Sequence, residues 1–340
     1  MKQSRIFSVA VASAAVIGSV VAVSGTANAY IDPFVATWVD SADELGVETA
    51  DGYPVDGWFQ GIAEPAGTTT FTVNGVELTG NTQILNVASE AGTDLTTLVS
   101  EAEFISSGSA SFQIPMFLNP AAGDEGFTTL RPASFGDTDL TGTGEWISSE
   151  AFGTLPAETA APLSAYQAEI AAIDALDATA DAEIIAYGFL TPVGTTSTVQ
   201  AVAFGAETTY FTPEARGTLI PTTITLSALR TTGITIEATG YFPGETVSVA
   251  FVPEGAQGAS PIDGLVFTAD ANGAIAGQVV VPADVAPDAG TYSLSLVGDT
   301  SVILLASDVI VTADAAAAPV PTAPTAPVAV PVRASASFTG

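Results

Sequence analysis

The residues with the clearest chemical potential are acids clustered near the start of the chain. Six carboxylates fall between residues 40 and 56, among three glycines that let the backbone turn sharply. Clustered oxygen ligands in flexible, glycine-bearing loops are what Ca²⁺ prefers. The spacing does not match a D-x-D-x-D-G loop, so a solvated acidic surface is the favoured interpretation. Calcium binding is the alternative, and its candidate ligands are Asp40, Asp43, Glu44, Asp51 and Asp56.

Aromatic side chains suggest a second chemistry. Trp38, Tyr53, Trp58 and Trp146 could stack on sugar rings, because aromatic rings have flat apolar faces. Two carboxylates suffice to hydrolyse a glycosidic bond, one as general acid and the other as nucleophile or base. Passive glycan contact is a further alternative, and packing in the core is the favoured interpretation. No catalytic pair can be chosen among 37 acids from sequence alone.

The chain lacks most of the other side chains that enzymes use. It contains no His, no Cys and a single Lys, Lys2. Hydrolysis by Ser-His or Cys-His pairs needs an imidazole, and Schiff-base chemistry needs an amine. Zinc sites built from His and Cys, and disulfides, are excluded as well. We therefore predict no catalytic residue and no cofactor, with Ca²⁺ as the alternative.

The formal net charge of −31 results from 37 acids against six cations. Charged residues make up 13% of the chain, about half the usual fraction. The imbalance is therefore a shortage of cations and not a surplus of acids. The negative electrostatic field of such a chain repels nucleic acid and anionic lipid. The expected partner is an extracellular protein or glycan, and no nucleic acid.

The first 29 residues have the pattern of a secretory signal peptide. Lys2 and Arg5 form a positive segment, residues 6–23 are apolar, and Ala27-Asn28-Ala29 fits a cleavage site of small residues. This pattern predicts cleavage before Tyr30 and a secreted mature chain, and the stalk and family resemblance described below lead us to expect that it is associated with the cell wall. The mature chain is expected to hold no membrane-spanning segment.

Most of the remaining sequence alternates apolar and polar residues with a period of two, which predicts a mostly β protein. Residues 30–215 are assigned to an N-terminal β-rich domain with one helical insert. Within that domain, Asn74-Gly75 predicts a type I′ hairpin turn, since both residues tolerate positive φ angles.

The helical insert is predicted from about residue 165 to residue 176. Apolar side chains recur there at spacings of three and four residues, at Leu163, Tyr166, Ile170, Ile173 and Leu176. Ser164 and Gln167 have the spacing of a capping box. The apolar stripe is expected to pack on a sheet.

Residues 216–313 carry seven candidate strands separated by regular turns. Seven short strands is the count of an immunoglobulin-like sandwich, here a version without the Cys-Trp-Cys core. From residue 314 to residue 340 the composition shifts to Pro, Ala and Thr. Such a segment cannot form a packed core, and it is interpreted as a disordered, proline-rich stalk.

Four short segments of the C-terminal domain carry a family resemblance. They are residues 240–247 (Gly-Tyr-Phe-Pro-Gly-Glu-Thr-Val), 269–273 (Ala-Asp-Ala-Asn-Gly), 281–283 (Val-Pro-Ala) and 290–292 (Gly-Thr-Tyr). This part of the chain, about a hundred residues of the 340, resembles the repeating immunoglobulin-like modules of actinobacterial secreted and cell-wall-associated proteins. The resemblance implies an immunoglobulin-like fold and a location at the cell surface.

Together these features predict a secreted, non-catalytic protein of the cell surface or the extracellular space. A β-rich head would stand on an immunoglobulin-like spacer and a stalk, and would serve adhesion, glycan or protein binding, or envelope structure. The alternative is a secreted carbohydrate-active enzyme that uses a carboxylate pair in the N-terminal domain. A subunit of a surface lattice is a third interpretation.

Overall fold

A computed structural model describes residues 35–47, 54–61, 66–118, 126–140, 144–176, 181–205, 207–254, 256 and 261–315. Strands dominate these ranges and helices are few and short, so the prediction of a mostly β protein is confirmed. The predicted signal peptide, Asp51, Tyr53 and the proline-rich segment from residue 316 lie outside the described residues.

Two sheets form the N-terminal part of the described chain. Their strands are β1 (Val35–Trp38), β2 (Trp58–Gln60), β3 (Thr68–Thr72), β4 (Gly75–Thr79), β5 (Thr82–Ala91), β6 (Glu103–Gly108), β7 (Ser111–Phe117), β8 (Phe127–Pro132), β9 (Glu145–Ser148), β10 (Ala161–Pro162), β11 (Glu183–Thr191), β12 (Thr196–Phe204) and β13 (Glu207–Tyr210). One sheet has the order β1-β13-β12-β4-β3, and β6 also pairs with β12. The other has the order β10-β9-β8-β7-β11-β5-β2.

The two N-terminal sheets share one apolar core. Alternation along the strands explains it, since Phe112, Ile114 and Met116 of β7 all point inward and are fully buried. Leu78 of β4 and Val199 of β12 face them from the other sheet and are equally buried. Burying one such side chain contributes about 1.5–3 kcal/mol, so this core alone can hold the sheets together without disulfides.

The hairpin at Asn74-Gly75 forms, but its turn differs from the prediction. Thr72 pairs with Gly75, so the two central residues are Val73 and Asn74. Gly75 has a φ of +117°, while Asn74 does not have a positive φ. A Cβ on Gly75 would lie 2.3 Å from the carbonyl oxygen of Val199. The glycine is therefore required by a close approach to β12, which the local sequence does not reveal.

The helical insert is present as α2 (Leu163–Asp174), two residues earlier than predicted at each end. Its predicted capping box is wrong, because Pro162 occupies the N-cap and makes no side-chain cap bond. Gln167 instead accepts a hydrogen bond from the backbone N of Thr96, at 3.1 Å. Leu176 lies beyond the helix and is 89% exposed, so it does not belong to the apolar stripe.

The prediction of a single helix is wrong, because the described chain holds two more. They are α1 (Leu95–Glu101), which follows a 3₁₀ turn at Gly92–Asp94, and α3 (Leu226–Thr231); another 3₁₀ turn covers Ala42–Glu44. The two additional α-helices have seven and six residues. Helices of this length give almost no periodic signal, and their threonines favour strands.

Two further sheets form the C-terminal part. Their strands are β14 (Arg216–Ile220), β15 (Thr223–Thr225), β16 (Ile234–Thr239), β17 (Thr246–Pro253), β18 (Pro261–Thr268), β19 (Ile275–Val279), β20 (Gly290–Gly298) and β21 (Leu304–Thr312). The orders are β14-β16-β19 and β15-β21-β20-β17-β18. The described residues of this part form eight strands where seven were predicted. Both sheets contribute to one core, and the immunoglobulin-like topology stays a prediction.

The core of the C-terminal part extends across the predicted domain boundary at residues 215 and 216. Ala201 and Tyr210, from the six-stranded N-terminal sheet, belong to the same buried cluster as Phe242 and Ile303. The position of the boundary therefore stays a prediction. No helix in the described ranges is long and apolar enough to cross a membrane.

Candidate functional site

The acidic cluster near the start of the chain lies at the surface. Asp40, Asp43, Glu44 and Asp56 are all exposed. The Glu44 carboxylate accepts hydrogen bonds from the backbone N of Asp40, at 2.7 Å, and of Ser41, at 3.2 Å. It therefore caps the 3₁₀ turn at Ala42–Glu44. No group of three or more metal-ligating side chains occurs among the residues with described positions, and calcium binding stays a prediction.

Two of the candidate aromatic residues are buried in the N-terminal core. Trp58 is 6% exposed and Trp146 is 3% exposed. The Nε1 of Trp58 donates a hydrogen bond to the Oγ1 of Thr209, at 3.0 Å, and its ring meets Phe211 edge to face. The backbone carbonyl of Trp146 accepts a hydrogen bond from the hydroxyl of Tyr166. In these positions neither ring can stack on a sugar at the surface.

Trp38, the third described candidate, lies where the two halves of the molecule meet. Its half-buried ring stacks on Tyr210, with 5.2 Å between ring centroids. Tyr210 is 6% exposed, and its hydroxyl donates a hydrogen bond to the carbonyl oxygen of Ser301, at 2.8 Å. Burial raises the pKa of this hydroxyl, and the charges of Glu103 and Glu245 raise it further. The tyrosine therefore stays neutral and joins the β1–β13 edge to the C-terminal part.

Glu245 holds the C-terminal side of this junction in place. Its carboxylate is buried and accepts hydrogen bonds from the backbone N of Phe242, Thr300 and Ser301, at 2.7, 3.1 and 2.9 Å. The hydroxyl of Ser301 donates a fourth, at 2.8 Å. A Cβ on Gly298 would lie 2.8 Å from both carboxylate oxygens. Glu245 lies in the segment that carries the family resemblance, but its role in the junction was not predicted.

A polar chain crosses the N-terminal core beside Trp58. The Nδ2 of Asn86 donates a hydrogen bond to the hydroxyl of Tyr187, at 2.7 Å, and that hydroxyl lies 3.3 Å from the Glu207 carboxylate. Burial raises the pKa of Tyr187, and the bond from Asn86 opposes this effect in part. Each buried polar group here has a partner, so the chain can stabilise the packing of β5, β11 and β13.

β8 and the turn after it carry two partly exposed aromatic rings that sequence reasoning missed. Phe127 is 39% exposed and contacts Phe117 edge to face, with 5.7 Å between centroids. Phe135, just after the strand, is 42% exposed. The guanidinium of Arg131 lies 4.2 Å from its ring centroid and 3.7 Å from the Glu158 carboxylate. We call Phe127, Arg131 and Phe135 the β8 patch.

The sequence gives only a weak indication of the β8 patch. Phe127 and Arg131 are four positions apart, so their side chains lie on the same face of a strand. Nothing in the local pattern says which face of β8 is covered by another part of the protein. Partial burial lowers the pKa of Arg131, and the charge of Glu158 opposes that effect. Arg131 therefore remains a cation, held beside an aromatic ring by a weak ion pair and a cation–π contact.

A small apolar cavity lies between the sheets of the C-terminal part. It is lined by Gly217, Leu219, Leu294, Leu296, Leu305, Ala306 and Ser307. Its volume of about 20 Å³ is that of roughly one water molecule. It is too small for a sugar residue.

No protein-family model matches the chain, and no curated protein matches it. A function for this chain is therefore inferred from its own residues.

Several acids of the described chain use their oxygens to hold turns. Glu169 accepts hydrogen bonds from the backbone N and the hydroxyl of Thr154. Asp270 accepts from the backbone N of Asn272, at 2.7 Å, and of Ala274, at 3.0 Å. These bonds lower the pKa of both carboxyl groups. A catalytic general acid needs the opposite shift, since it must hold a proton near neutral pH.

Proposed function

We propose that this chain is a secreted, non-catalytic protein that presents a β-rich head on a spacer and a stalk. The head corresponds to residues 30–215, the immunoglobulin-like spacer to 216–313 and the stalk to 314–340. The observation that carries the proposal is the junction, where Tyr210 of the head is buried against Phe242 and bonded to Ser301. A head held in a defined orientation relative to its support is suited to presentation.

The roles of the acids support a non-catalytic function. Glu44, Glu169, Glu245 and Asp270 each accept two or more hydrogen bonds from turns. Carboxylates used in this way are held in fixed positions by the turns that they cap. Two facing carboxyl groups about 5–10 Å apart, one of them with a raised pKa, are what a glycosidase would need.

The proposal places contact with an extracellular glycan on the β8 patch. Two partly exposed rings offer apolar surface for sugar C–H groups, and Arg131, whose guanidinium lies over the Phe135 ring, offers hydrogen-bond donors beside it. The patch is the part of the head where a cation and aromatic rings coincide, in a chain with a net charge of −31. Neutral sugars experience no repulsion from that charge.

The test combines location with activity. Cells are fractionated into medium, wall and membrane, and the purified mature chain is applied to a glycan array and incubated with cell-wall polysaccharide. We expect the mature chain in the medium or the wall, and glycan binding without release of sugar. Uncut precursor in the cytosol would overturn the proposal of secretion, and release of sugar would support the carbohydrate-active enzyme instead.

The contact surface is tested by substitution. Phe127→Ala and Phe135→Ala should each weaken glycan binding about tenfold, a loss of roughly 1.4 kcal/mol. Val266→Ala is the matched control, since Val266 is 53% exposed but lies on β18 in the C-terminal part. Binding that is unchanged in both phenylalanine variants, with unchanged melting temperature, would exclude the β8 patch as the contact surface.

A further inference from the structure

Both ends of the described chain are attached through a parallel strand pair. β1 pairs with β13 over four residue pairs, from Val35–Glu207 to Trp38–Tyr210. β15 pairs with β21 over three, from Thr223–Ile310 to Thr225–Thr312. The other strand pairs in the described sheets are all antiparallel.

The direction of these pairs determines how they respond to a pull on the chain. A pull on the chain before Val35 draws β1 backward, while a pull beyond Ala315 draws β13 forward through the covalent backbone. The two strands must then slide past each other along their length. Hydrogen bonds between parallel strands are evenly spaced, so all of them share the load and must break together. The same geometry applies to β15 and β21.

We propose that this protein bears tension, and that the β1–β13 and β15–β21 pairs are its load-bearing clamps. The load crosses directly from β1 to β13, follows the backbone from Glu207 to Thr225, and crosses directly from β15 to β21. Residues 39–206 and 226–303 lie outside this path. The sheets that form the two cores are therefore protected from the pull as long as the clamps hold.

Side chains reinforce the first clamp. The hydroxyls of Thr37 and Thr209, which are register partners, lie 2.9 Å apart across the strand pair. Trp38 stacks on its own register partner, Tyr210. The backbone N of Val39 donates to the carbonyl of Tyr210, at 2.9 Å, and so extends the ladder by one bond.

The second clamp is reinforced at both ends. The backbone N of Ile310 donates to the carbonyl of Thr222, at 2.9 Å. Beyond the ladder, the carboxylate of Asp314 accepts a hydrogen bond from the backbone N of Ser227, at 3.0 Å, and another from its hydroxyl. Asp314 is the second residue after β21, so it ties the end of the last strand to the first turn of α3.

The inference rests on the proposed function, because only a chain attached through its stalk would be pulled in this way. The clamp itself is a property of the fold and can be measured without cells. A chain that resists force but is found in the cytosol would contradict the proposed function alone. A secreted chain whose unfolding force does not depend on the pulling direction would contradict the inference alone.

The experiment is single-molecule force spectroscopy on the full chain with two pulling directions. The chain contains no cysteine, so an introduced pair provides unique handles. Thr222→Cys with Ala315→Cys pulls β15 and β21 past each other. Ala289→Cys with Ala315→Cys is the matched control, since Gly290 pairs antiparallel with Val311 and these handles peel β20 from β21 one pair at a time.

We expect the unfolding force to be higher in the sliding direction, by a factor on the order of the three residue pairs that share the load. Equal forces in the two directions, or a lower force in the sliding direction, would overturn the inference. The three handle positions, Thr222, Ala289 and Ala315, are all exposed, and the melting temperatures of the two double variants should agree.

A side-chain variant tests the reinforcement by Asp314. Ser227→Ala removes the hydroxyl that binds the Asp314 carboxylate, and should lower the sliding force while leaving the peeling force unchanged. Ser248→Ala is the control, because it removes a similar exposed bond to Asp299 away from the clamp. If Ser227→Ala lowered the unfolding force equally in both pulling directions, the variant would be generally destabilised. That result would count against a clamp at Asp314.

Discussion

Glu245 and Ser301 are joined by two hydrogen bonds across 56 residues of sequence. The backbone N and the hydroxyl of Ser301 both donate to a carboxylate that is only 7% exposed. An ionised carboxylate tolerates such burial when donors surround it. The pair connects the turn before β17 to the turn after β20. The carbonyl of the same Ser301 accepts the hydrogen bond from Tyr210, which joins the two halves of the molecule.

Replacing Glu245 with glutamine should destabilise the fold strongly. The amide removes the charge that strengthens the four hydrogen bonds, and it turns one acceptor into a donor facing backbone N–H groups. We expect the free energy of unfolding in urea to fall by about 1.5–3 kcal/mol. Glu237→Gln is the control, because Glu237 is exposed on β16. Comparable stability of the two variants would contradict the role given to Glu245.

Removing the hydroxyl of Tyr210 should loosen the junction. Tyr210→Phe keeps the ring and its contacts with Trp38 and Phe242, but it leaves the carbonyl of Ser301 without this donor. We expect a loss of about 1 kcal/mol in the free energy of unfolding, and faster amide hydrogen exchange at residues 298–303. Tyr292→Phe, which loses a bond to the carbonyl of Asp288 elsewhere, is the matched control. Faster exchange at residues 298–303 in the control variant as well would argue against a specific junction.

Acid should weaken the turn at Asp270. Backbone hydrogen bonds from Ala274 and Asn272 hold the pKa of Asp270 below its ordinary value of 3.8. A carboxyl group whose folded pKa is lowered stabilises the protein above its unfolded pKa, and this stabilisation is lost as the pH falls through the folded pKa. The stability difference between wild type and Asp270→Asn, measured in urea, should therefore shrink as the pH falls below about 4.

The control for that measurement is Asp263→Asn, which removes an exposed charge on β18. Its difference from wild type should report only the change in net charge. If the Asp270 variant followed the same pH dependence as the Asp263 variant, the hydrogen bonds of the turn would not contribute.

A methyl group at Gly75 should be more damaging than one at another glycine with positive φ. Gly75→Ala combines backbone strain with a contact of 2.3 Å to the carbonyl of Val199. At Gly194 the φ is +75°, but an added Cβ would meet no atom within 4 Å. We expect Gly194→Ala to cost about 1–2 kcal/mol from strain alone, and Gly75→Ala to cost clearly more in thermal unfolding. Equal costs would mean that β12 moves aside.

The strand content and the position of α2 were predictable because both depend on local periodicity. Buried and exposed residues of β16 alternate strictly, and α2 has its buried residues Tyr166 and Ile170 at helical spacing. The two shorter α-helices were missed because six or seven residues do not define a helical period. The capping box at Ser164 failed because Gln167 had a better partner in Thr96, which is 71 residues away.

At the candidate site, too, residue types could be read from the sequence, but their exposure could not. Sequence identified Trp38, Trp58 and Trp146 as aromatic, but two of the three rings are buried. Among the described residues, the exposed rings are Phe127 and Phe135, which no motif distinguishes. Burial depends on which face of a strand another sheet covers, and that depends on contacts between residues far apart in the chain.

By itself the sequence determined which chemistry is unavailable, since a chain without His or Cys and with one Lys cannot supply an imidazole, a thiol or a set of amines. It also determined that the chain would form sheets. Only the tertiary structure decided that Thr37 would lie beside Thr209, 172 residues later, in a parallel pair. Local propensity makes a strand, but its partner and direction are chosen by the packing of the whole core.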